Sequence, residues 1–261
     1  AAPTNAALEI LKELAASEFS GLVSDIGSTK SLIHKSVNNK INFVGTHPMA
    51  GSHLAGWDSA DPTIFHQAPW ALTLDQAKEE TTLAKLIEVI LFTGAWVVPT
   101  FAKQHDEAVV VSSHLAHLIS AGFGLTIENA ENQKLIEALV GGSYRDLSRI
   151  TLSPSERTAE IVWPNRDDLV IAIDTFIANL QGLKKTLKAD EVDNLVKLLT
   201  RSGQSRARVE VTQQLIQKQQ TQILSIKKGE LIGELRELAL DPALITSFQI
   251  QNDDYQITLA R

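Results

Sequence analysis

The segment INFVGTHPMAG, residues 41–51, sets the expected architecture of this chain. Its beginning is rich in β-branched and aromatic side chains and runs into turn residues, a pattern that predicts a short strand. The glycines of the turn allow the backbone to approach a ligand closely, and Pro48 holds His47 outside the helical region. Because open α/β sheets bind ligands at the carboxyl ends of their strands, His47 is a candidate site residue. A purely structural histidine is the alternative that this segment leaves open.

The segments around this strand predict an α/β domain. Apolar residues recur at helical spacing in residues 4–16 and 81–92. Short apolar runs bounded by turn residues predict strands at residues 21–26, 69–74 and 95–98. Strands that alternate with helices in this way are typical of a parallel sheet with crossover helices.

The chain changes in character after Pro99. Residues 102–219 are predicted to be almost entirely helical, with breaks expected at positions 122–124, 141–142, 153–154, 164 and 202–203. The pattern of the tail predicts a strand, a helix and a hairpin. We therefore expect a partial Rossmann-like dinucleotide-binding domain at residues 1–100, an all-helical substrate and dimerisation domain at residues 101–220, and a small β-α-β-β appendix at residues 221–261.

Composition narrows the classes of partner. The chain has 261 residues, a net charge of −7 and no cysteine. The negative charge argues against nucleic acid or an anionic membrane as the main partner, and the lack of cysteine excludes disulfides and thiolate chemistry. No unbroken apolar run reaches the roughly 18 residues of a membrane span, and the first residues do not open a signal peptide. We therefore expect a cytoplasmic protein with no nucleic-acid or membrane partner.

A first polar cluster follows the first predicted strand. Asp25, Ser28 and Lys30 lie at the same expected sheet edge as His47. Ser28 is a suitable N-cap for the helix that follows, and the free amides of a helix N-terminus form an anion site. This cluster and His47 are therefore expected to border one crevice.

Two further clusters lie in the helical part. His114 and His117 are three residues apart on one helical face, after the pair His105-Asp106. No third ligand stands at a suitable spacing, so no metal site is predicted; one histidine is expected to pack while the other faces a cleft. Residues 142–149 contain Arg149, whose planar guanidinium suits a carboxylate, and the alternative is an ordinary surface ion pair.

Taken together, these motifs resemble the prephenate and arogenate dehydrogenases of tyrosine biosynthesis. The resemblance extends over residues 1 to about 200, with the motifs in the family's order and spacing. It is carried by residues 25–30, 45–51, 68–70, 105–106, 113–117 and 142–149. Residues 55–57 and the tail are similar to the actinobacterial branch of the family.

The resemblance implies a reaction and its partners. Members of the family join a Rossmann domain that binds NAD or NADP to a helical domain that forms a homodimer. They catalyse the oxidative decarboxylation of prephenate to 4-hydroxyphenylpyruvate, or of arogenate to tyrosine. A small-molecule substrate, a nicotinamide cofactor and a homodimer are thus expected for this chain.

The resemblance also implies roles for individual residues. His47 would accept the proton of the ring hydroxyl, with Ser28 between that hydroxyl and the nicotinamide and with Lys30 supporting the pocket. Arg149 would bind a substrate carboxylate. The other implied contacts are His117, Asp146, Gly142 and His53 for the substrate, and Pro3, Asp25, Ser28 and Met49 for the cofactor.

The chain departs from the family pattern in several places. It contains no GxGxxG loop, and Pro3 matches the segment just after the family's fourth strand, so the N-terminal glycine-rich portion is expected to be absent. His53 stands where prephenate-preferring relatives often carry a glutamate, which leaves arogenate open as a substrate. Ala116 replaces a usual proline, which relaxes a kink.

Two alternative functions follow from these departures. One is an inactive or truncated helical dimer scaffold. The other is an amino-acid-sensing role of the tail, whose β-α-β-β pattern is similar to part of an ACT module. An extension of the helical domain or of the dimer interface is the expectation we favour for the tail.

Overall fold

The computed structural model describes residues 2–37, 40–51, 56, 58, 60–217, 221–252 and 254–260. The predicted His53, Ala55 and Trp57 lie outside the described residues. The fold combines one mixed seven-stranded sheet with a helical region between its fourth and fifth strands in chain order.

The first part of the chain forms four strands of the sheet and the helices beside them. These elements are α1 (Thr4–Ala16), β1 (Leu22–Asp25), α2 (Ser31–Ser36), β2 (Asn42–Pro48), β3 (Pro69–Thr73), α3 (Glu80–Phe92) and β4 (Trp96–Thr100). The pairs β1–β2 and β3–β4, each joined through a helix, are parallel as expected. The pair β2–β3 is antiparallel, which corrects the expectation of a parallel sheet throughout. A return strand that has no crossover helix before it pairs antiparallel.

The middle of the chain is helical. Its helices are α4 (Ala102–Val109), a π-helical segment (Val110–His114), α5 (Leu115–Glu128), α6 (Gln133–Leu139), α7 (Gly142–Ser148), α8 (Ser155–Val162), α9 (Arg166–Lys188) and α10 (Val192–Gln217). Short 3₁₀ turns occupy Arg149–Leu152 and Trp163–Asn165. The breaks predicted at 122–124 and 202–203 are wrong, because α5 and α10 continue through these glycines. A glycine inside a helix costs only about 1 kcal/mol, which packing can offset.

The continuous helix Ala102–Glu128 links the two parts of the chain. By length and composition alone, it is the one helix among the described residues that could cross a membrane, although the sequence has no unbroken apolar run of that length. However, its His105, Asp106 and His114 are buried. Asp106 also binds backbone amides at the start of α2. These contacts pack the first half of this helix into the folded domain.

The tail extends the sheet, which corrects our expectation that it extends the helical domain. Its elements are β5 (Thr221–Ile226), α11 (Leu231–Leu240), β6 (Leu244–Gln251) and β7 (Asp254–Ala260). The strand order is β1-β2-β3-β4-β6-β7-β5, with β6 antiparallel to β4. Leu235, Ile245 and Ile257 are fully buried in the same core as Leu72 and Val97. The tail therefore shares its hydrophobic core with the sheet that carries His47.

Candidate active site

A cleft of about 400 Å³ opens where the end of β2 faces the helical region. From β2 and the loops of the sheet it receives Ser28, His47, Pro48, Met49, Ala50 and Gly51. From the helical region it receives Ser112, Ser113, His117, Arg149, Ile150, Ser153, Arg157, Thr158 and Ile161. The cleft thus brings together five of the predicted site residues from separate parts of the sequence: Ser28, His47, Met49, His117 and Arg149.

Local structure explains how these side chains reach the cleft. His47 lies near the carboxyl end of β2, where the following Pro48 and glycine-containing turn end the pairing. On the opposite wall, the wider π-helical turn at Val110–His114 contains Ser112 and Ser113 and ends just before His117. Such π-helical turns within α-helices are frequent at functional sites.

His47 is held from behind by a chain of buried polar groups. Its Nδ1 lies 2.9 Å from Nε2 of His105, whose Nδ1 lies 2.9 Å from Oδ1 of Asp106. Asp106 also accepts hydrogen bonds from the backbone amides of Lys30 and Ser31, both at 2.8 Å. The side chains of His105 and Asp106 are only 3% and 4% exposed. The sequence places the pair His105-Asp106 in a motif but predicts no role for either residue.

These bonds correct the predicted N-cap. The helix α2 begins at Ser31 rather than directly after Ser28, and no side chain of the preceding turn caps it. Its first amides bind the carboxylate of Asp106 instead. The anion at this helix N-terminus is thus part of the protein, and Ser28 is left to line the cleft.

The electrostatics of this wall keep the imidazole of His47 neutral. Burial, together with the neighbouring His105, Lys30 and His114, lowers the pKa of His47 to about 3, while Asp106 opposes this shift. For Asp106, burial alone would raise the pKa, but the hydrogen bonds from His105 and from the two amides lower it below its ordinary value. At neutral pH the wall therefore presents a neutral imidazole backed by a carboxylate.

Lys30 lies beneath the cleft rather than in it. Its side chain is fully buried, forms an ion pair with Asp25 and donates a hydrogen bond to the backbone oxygen of Thr46 at 2.7 Å. Burial lowers the pKa of Lys30, and the charge of Asp25 opposes that shift. Lys30 is therefore placed to hold β2 next to His47, and it does not line the cleft.

The helical wall carries positive charge. Arg149 and Arg157 both line the cleft. The Nη2 atom of Arg157 lies 3.8 Å from the position that a Cβ atom on Gly51 would occupy, so this arginine reaches the loop after His47. Burial lowers the pKa of His117, and the charge of Arg157 adds to this effect. Sequence reasoning missed Arg157, because a polar helix such as α8 gives no signal that one arginine faces a cleft.

Several predicted residues do not join the cleft. Asp146 and Gly142 are exposed on α7 and do not line it. Pro3 is exposed just before α1. The carboxylate of Asp25 accepts hydrogen bonds from Lys30 and from the backbone amide of Gly27. Of the predicted cofactor contacts, Ser28 and Met49 remain beside His47.

The described residues fit only the nicotinamide end of a dinucleotide. Ser28 and Met49 border the cleft next to His47, where a nicotinamide ring would have to lie for hydride transfer. The sequence has no GxGxxG loop to bind the pyrophosphate. The described residues thus suit the reactive ring of the cofactor.

A Rossmann-like sheet and a helical region that enclose a neutral histidine and two arginines define a two-domain protein of the dehydrogenase type. The family model described as "Prephenate dehydrogenase, nucleotide-binding domain" matches residues 1–99. The model described as "Prephenate dehydrogenase, dimerization domain" matches residues 101–201. The chain belongs to the prephenate dehydrogenase family.

Individual relatives agree with this assignment. The prephenate dehydrogenase of Bacillus subtilis is 29% identical over 202 residues, which are 75% of this chain and 54% of that protein. The crystal structure of Synechocystis arogenate dehydrogenase matches with a TM-score of 0.64 at 26% identity, over 72% of this chain and 69% of the other. Prephenate dehydrogenase from A. aeolicus, in complex with hydroxyphenyl propionate and NAD+, matches with a TM-score of 0.72 at 25% identity, over 80% and 74%. The chain spans about half the length of the Bacillus relative.

Proposed function

We propose that the protein catalyses the oxidative decarboxylation of prephenate to 4-hydroxyphenylpyruvate, with NAD or NADP as hydride acceptor. One observation carries the proposal: a neutral histidine, backed by buried polar groups, faces two arginines across a single cleft. The substrate requires that combination, because it has a hydroxyl proton to remove and two carboxylates to bind. Family membership supports the same reaction class.

In this proposal His47 manages the proton of the ring hydroxyl. Its imidazole takes that proton as the hydride leaves the same carbon for the bound nicotinamide, which supplies the redox chemistry. The carbon–carboxylate bond then breaks, its electron pair enters the ring and carbon dioxide leaves. The resulting phenolate recovers the proton from His47, so the residue ends the cycle unchanged.

The remaining cleft residues bind and orient. Arg149 and Arg157 line the cleft and would hold the two carboxylates, since a guanidinium pairs with a carboxylate through two parallel hydrogen bonds. Ser28 and His117 would contact the ring from opposite walls. Met49 would cover the nicotinamide, which keeps water from the reacting atoms.

The charge of the cleft favours prephenate over arogenate. The described lining residues include two arginines and no acidic side chain. Arogenate carries an ammonium group where prephenate has a keto group, so it needs a nearby acid that these residues do not provide. We therefore propose a preference for prephenate, with arogenate as the weaker substrate.

The proposal includes a cytoplasmic homodimer. The residues matched by the dimerization-domain model expose an apolar groove of about 440 Å³. Leu115, Ile119, Phe123, Ile173 and Phe176 are among the residues that line it. A second copy of the chain is the occupant that the family match favours, and light scattering after gel filtration should give twice the monomer mass.

The decisive experiment compares the two substrates directly. Purified protein is assayed for NADH and NADPH formation with prephenate and with arogenate, at high dinucleotide concentration. We expect turnover with a higher kcat/KM for prephenate. No turnover of either substrate by folded protein would instead support the helical scaffold.

A variant tests the basis of the preference. Arg157→Gln should lower kcat/KM more for prephenate, with its two negative charges, than for arogenate, whose net charge is one unit less negative. Arg166→Gln is the matched control, because Arg166 is exposed beside Trp163 and lies outside the cleft. Equal losses for both substrates would contradict the role of charge in the preference.

A further inference from the structure

Two buried side chains behind His47 are bonded in a way that determines where its hydrogen lies. Asp106 accepts one hydrogen bond from a backbone amide on each carboxylate oxygen, and its pKa is lowered, so it is a carboxylate at neutral pH. A carboxylate only accepts hydrogen bonds. The 2.9 Å contact with His105 therefore requires a hydrogen on Nδ1 of His105.

The next contact follows from the first. A neutral imidazole carries a single hydrogen, so Nε2 of His105 is an acceptor once Nδ1 holds that hydrogen. Nδ1 of His47 lies 2.9 Å from this Nε2 and must supply the hydrogen of the bond. The Nε2 atom of His47 is then left with a free lone pair.

We propose that His105, held by Asp106, is a positioning residue that fixes His47 in the tautomer with hydrogen on Nδ1 and thereby leaves Nε2 as the proton acceptor. This tautomer is set by the protein itself and does not depend on a bound substrate or cofactor. Its catalytic meaning rests on the proposed function, in which Nε2 receives the proton of the substrate hydroxyl.

The surrounding charges show why positioning is needed. Lys30 lies on one side of His47 and His114 on another, and both disfavour a positive charge on it, as does His105. On the cleft side lie His117 and the two arginines. Among these neighbours Asp106 is the group that favours the imidazolium formed during the reaction, and it acts through His105. A misplaced hydrogen on Nε2 would thus remove the acceptor without any nearby group to restore it.

Nitrogen-15 NMR of the histidine rings tests the tautomer without any substrate or cofactor. The chain has seven histidines, few enough to assign by single substitutions, and the exposed His66 provides a control through His66→Asn. At pH 7.5 we expect protonated Nδ1 and unprotonated Nε2 for both His47 and His105. Hydrogen on Nε2 of His47 in the unsubstituted protein would overturn the proposal.

Two substitutions separate positioning from proton transfer. His105→Gln can place an amide oxygen where Nε2 was and still accept from His47, whereas His105→Asn is too short to reach it. We expect kcat within about 3-fold of the parent for His105→Gln and at least about 10-fold lower for His105→Asn, with KM for prephenate changed little in both. In the spectrum, His47 should keep its tautomer in the glutamine variant and lose it in the asparagine variant.

The outcomes distinguish this proposal from the proposed reaction. If the spectra are as expected but no substrate is turned over, the tautomer stands and the reaction is wrong. If both variants lose kcat equally while His47 keeps its tautomer in the glutamine variant, His105 itself transfers a proton and the positioning role is overturned. Circular dichroism and urea unfolding establish that each variant is folded before it is compared.

Discussion

The two walls of the cleft are built in opposite ways. On the sheet side, His47 is backed by His105 and Asp106, which are almost fully buried and hydrogen-bonded to each other. On the helical side, Arg149 and Arg157 are largely exposed to solvent. In the proposed reaction this difference would divide the roles: the sheet wall would hold a neutral acceptor in a fixed position, and the helical wall would attract and bind anions.

The largest expected effect is on the sheet wall. His47→Asn should lower kcat about 10³-fold, equivalent to about 4 kcal/mol, because an amide cannot take the hydroxyl proton. KM for prephenate should change by less than about 3-fold, since the arginines of the other wall are intact. Steady-state kinetics with prephenate measure both parameters. Unchanged kcat would remove His47 from the mechanism.

The second prediction concerns His114, the buried histidine at the end of the π-helical turn on the opposite wall. His114 is 1% exposed, and burial lowers its pKa to about 4. In the unfolded chain its pKa is close to 6.5, so on acidification the unfolded state binds a proton first, and stability is lost between pH 6.5 and pH 4. From a folded pKa of about 4, the loss from this residue between pH 7 and pH 4.5 is about 2.5 kcal/mol.

Urea unfolding at the two pH values checks this prediction. His114→Gln should reduce the difference in unfolding free energy between pH 7 and pH 4.5 by that amount. His66→Gln, at an exposed position outside the cleft, should leave the difference as it is in the parent protein. An acid sensitivity that is the same in all three proteins would contradict a neutral, buried His114.

The third prediction concerns Arg149 on the helical wall. Arg149→Ala should raise KM for prephenate about 30-fold, equivalent to about 2 kcal/mol, because it removes one carboxylate partner. The value of kcat should fall far less than in His47→Asn, which would separate binding from proton transfer. Arg166→Ala serves as the control outside the cleft. An unaltered KM would mean that another residue holds the carboxylate.

The sequence predicts short-range features of this molecule better than long-range ones. Periodicity predicts the helix Thr4–Ala16 and the strand before His47, because both patterns depend on neighbouring residues. The bond between His47 and His105 joins residues 58 positions apart, and Asp106 binds an amide 76 positions away. No periodic pattern encodes such pairs, so the link from His47 to the His105-Asp106 pair became visible only in the folded chain.

Five of the residues that the family resemblance implies line the cleft, and their roles stay predictions. Arg157 escaped notice, since an arginine on a polar helix resembles any solvated residue. In the tail, too, the sequence predicts the local elements but not the long-range contact between them and the rest of the fold. The tail's β-α-β-β pattern is readable from sequence, but the single pairing of Ile245 with Val97 that joins it to the sheet is not.

The smallest expected effect compares a glycine in the strand that carries His47 with a glycine of the helical region. A Cβ atom on Gly45, two residues before His47, would lie 2.7 Å from Oγ1 of Thr73, 2.8 Å from Nε2 of His34 and 3.3 Å from Cδ of Lys30. Thr73 donates to the backbone oxygen of Gly45 and is bonded to His34, so a methyl group must displace a bonded pair. Gly45→Ala should therefore lower the free energy of unfolding by about 1 to 2 kcal/mol.

Gly142 is the matched position on the helical side. A Cβ atom there has no neighbour within 4 Å, and the residue begins α7. Because alanine restricts the unfolded chain more than glycine does, Gly142→Ala should leave stability unchanged or raise it by up to about 1 kcal/mol. Urea unfolding gives the free energy of unfolding of both variants, and the two values can be compared if the m-values are unchanged. If the two variants lost the same stability, the strand that carries His47 would be no more tightly packed than the start of α7, and the rigid placement of His47 would need another cause.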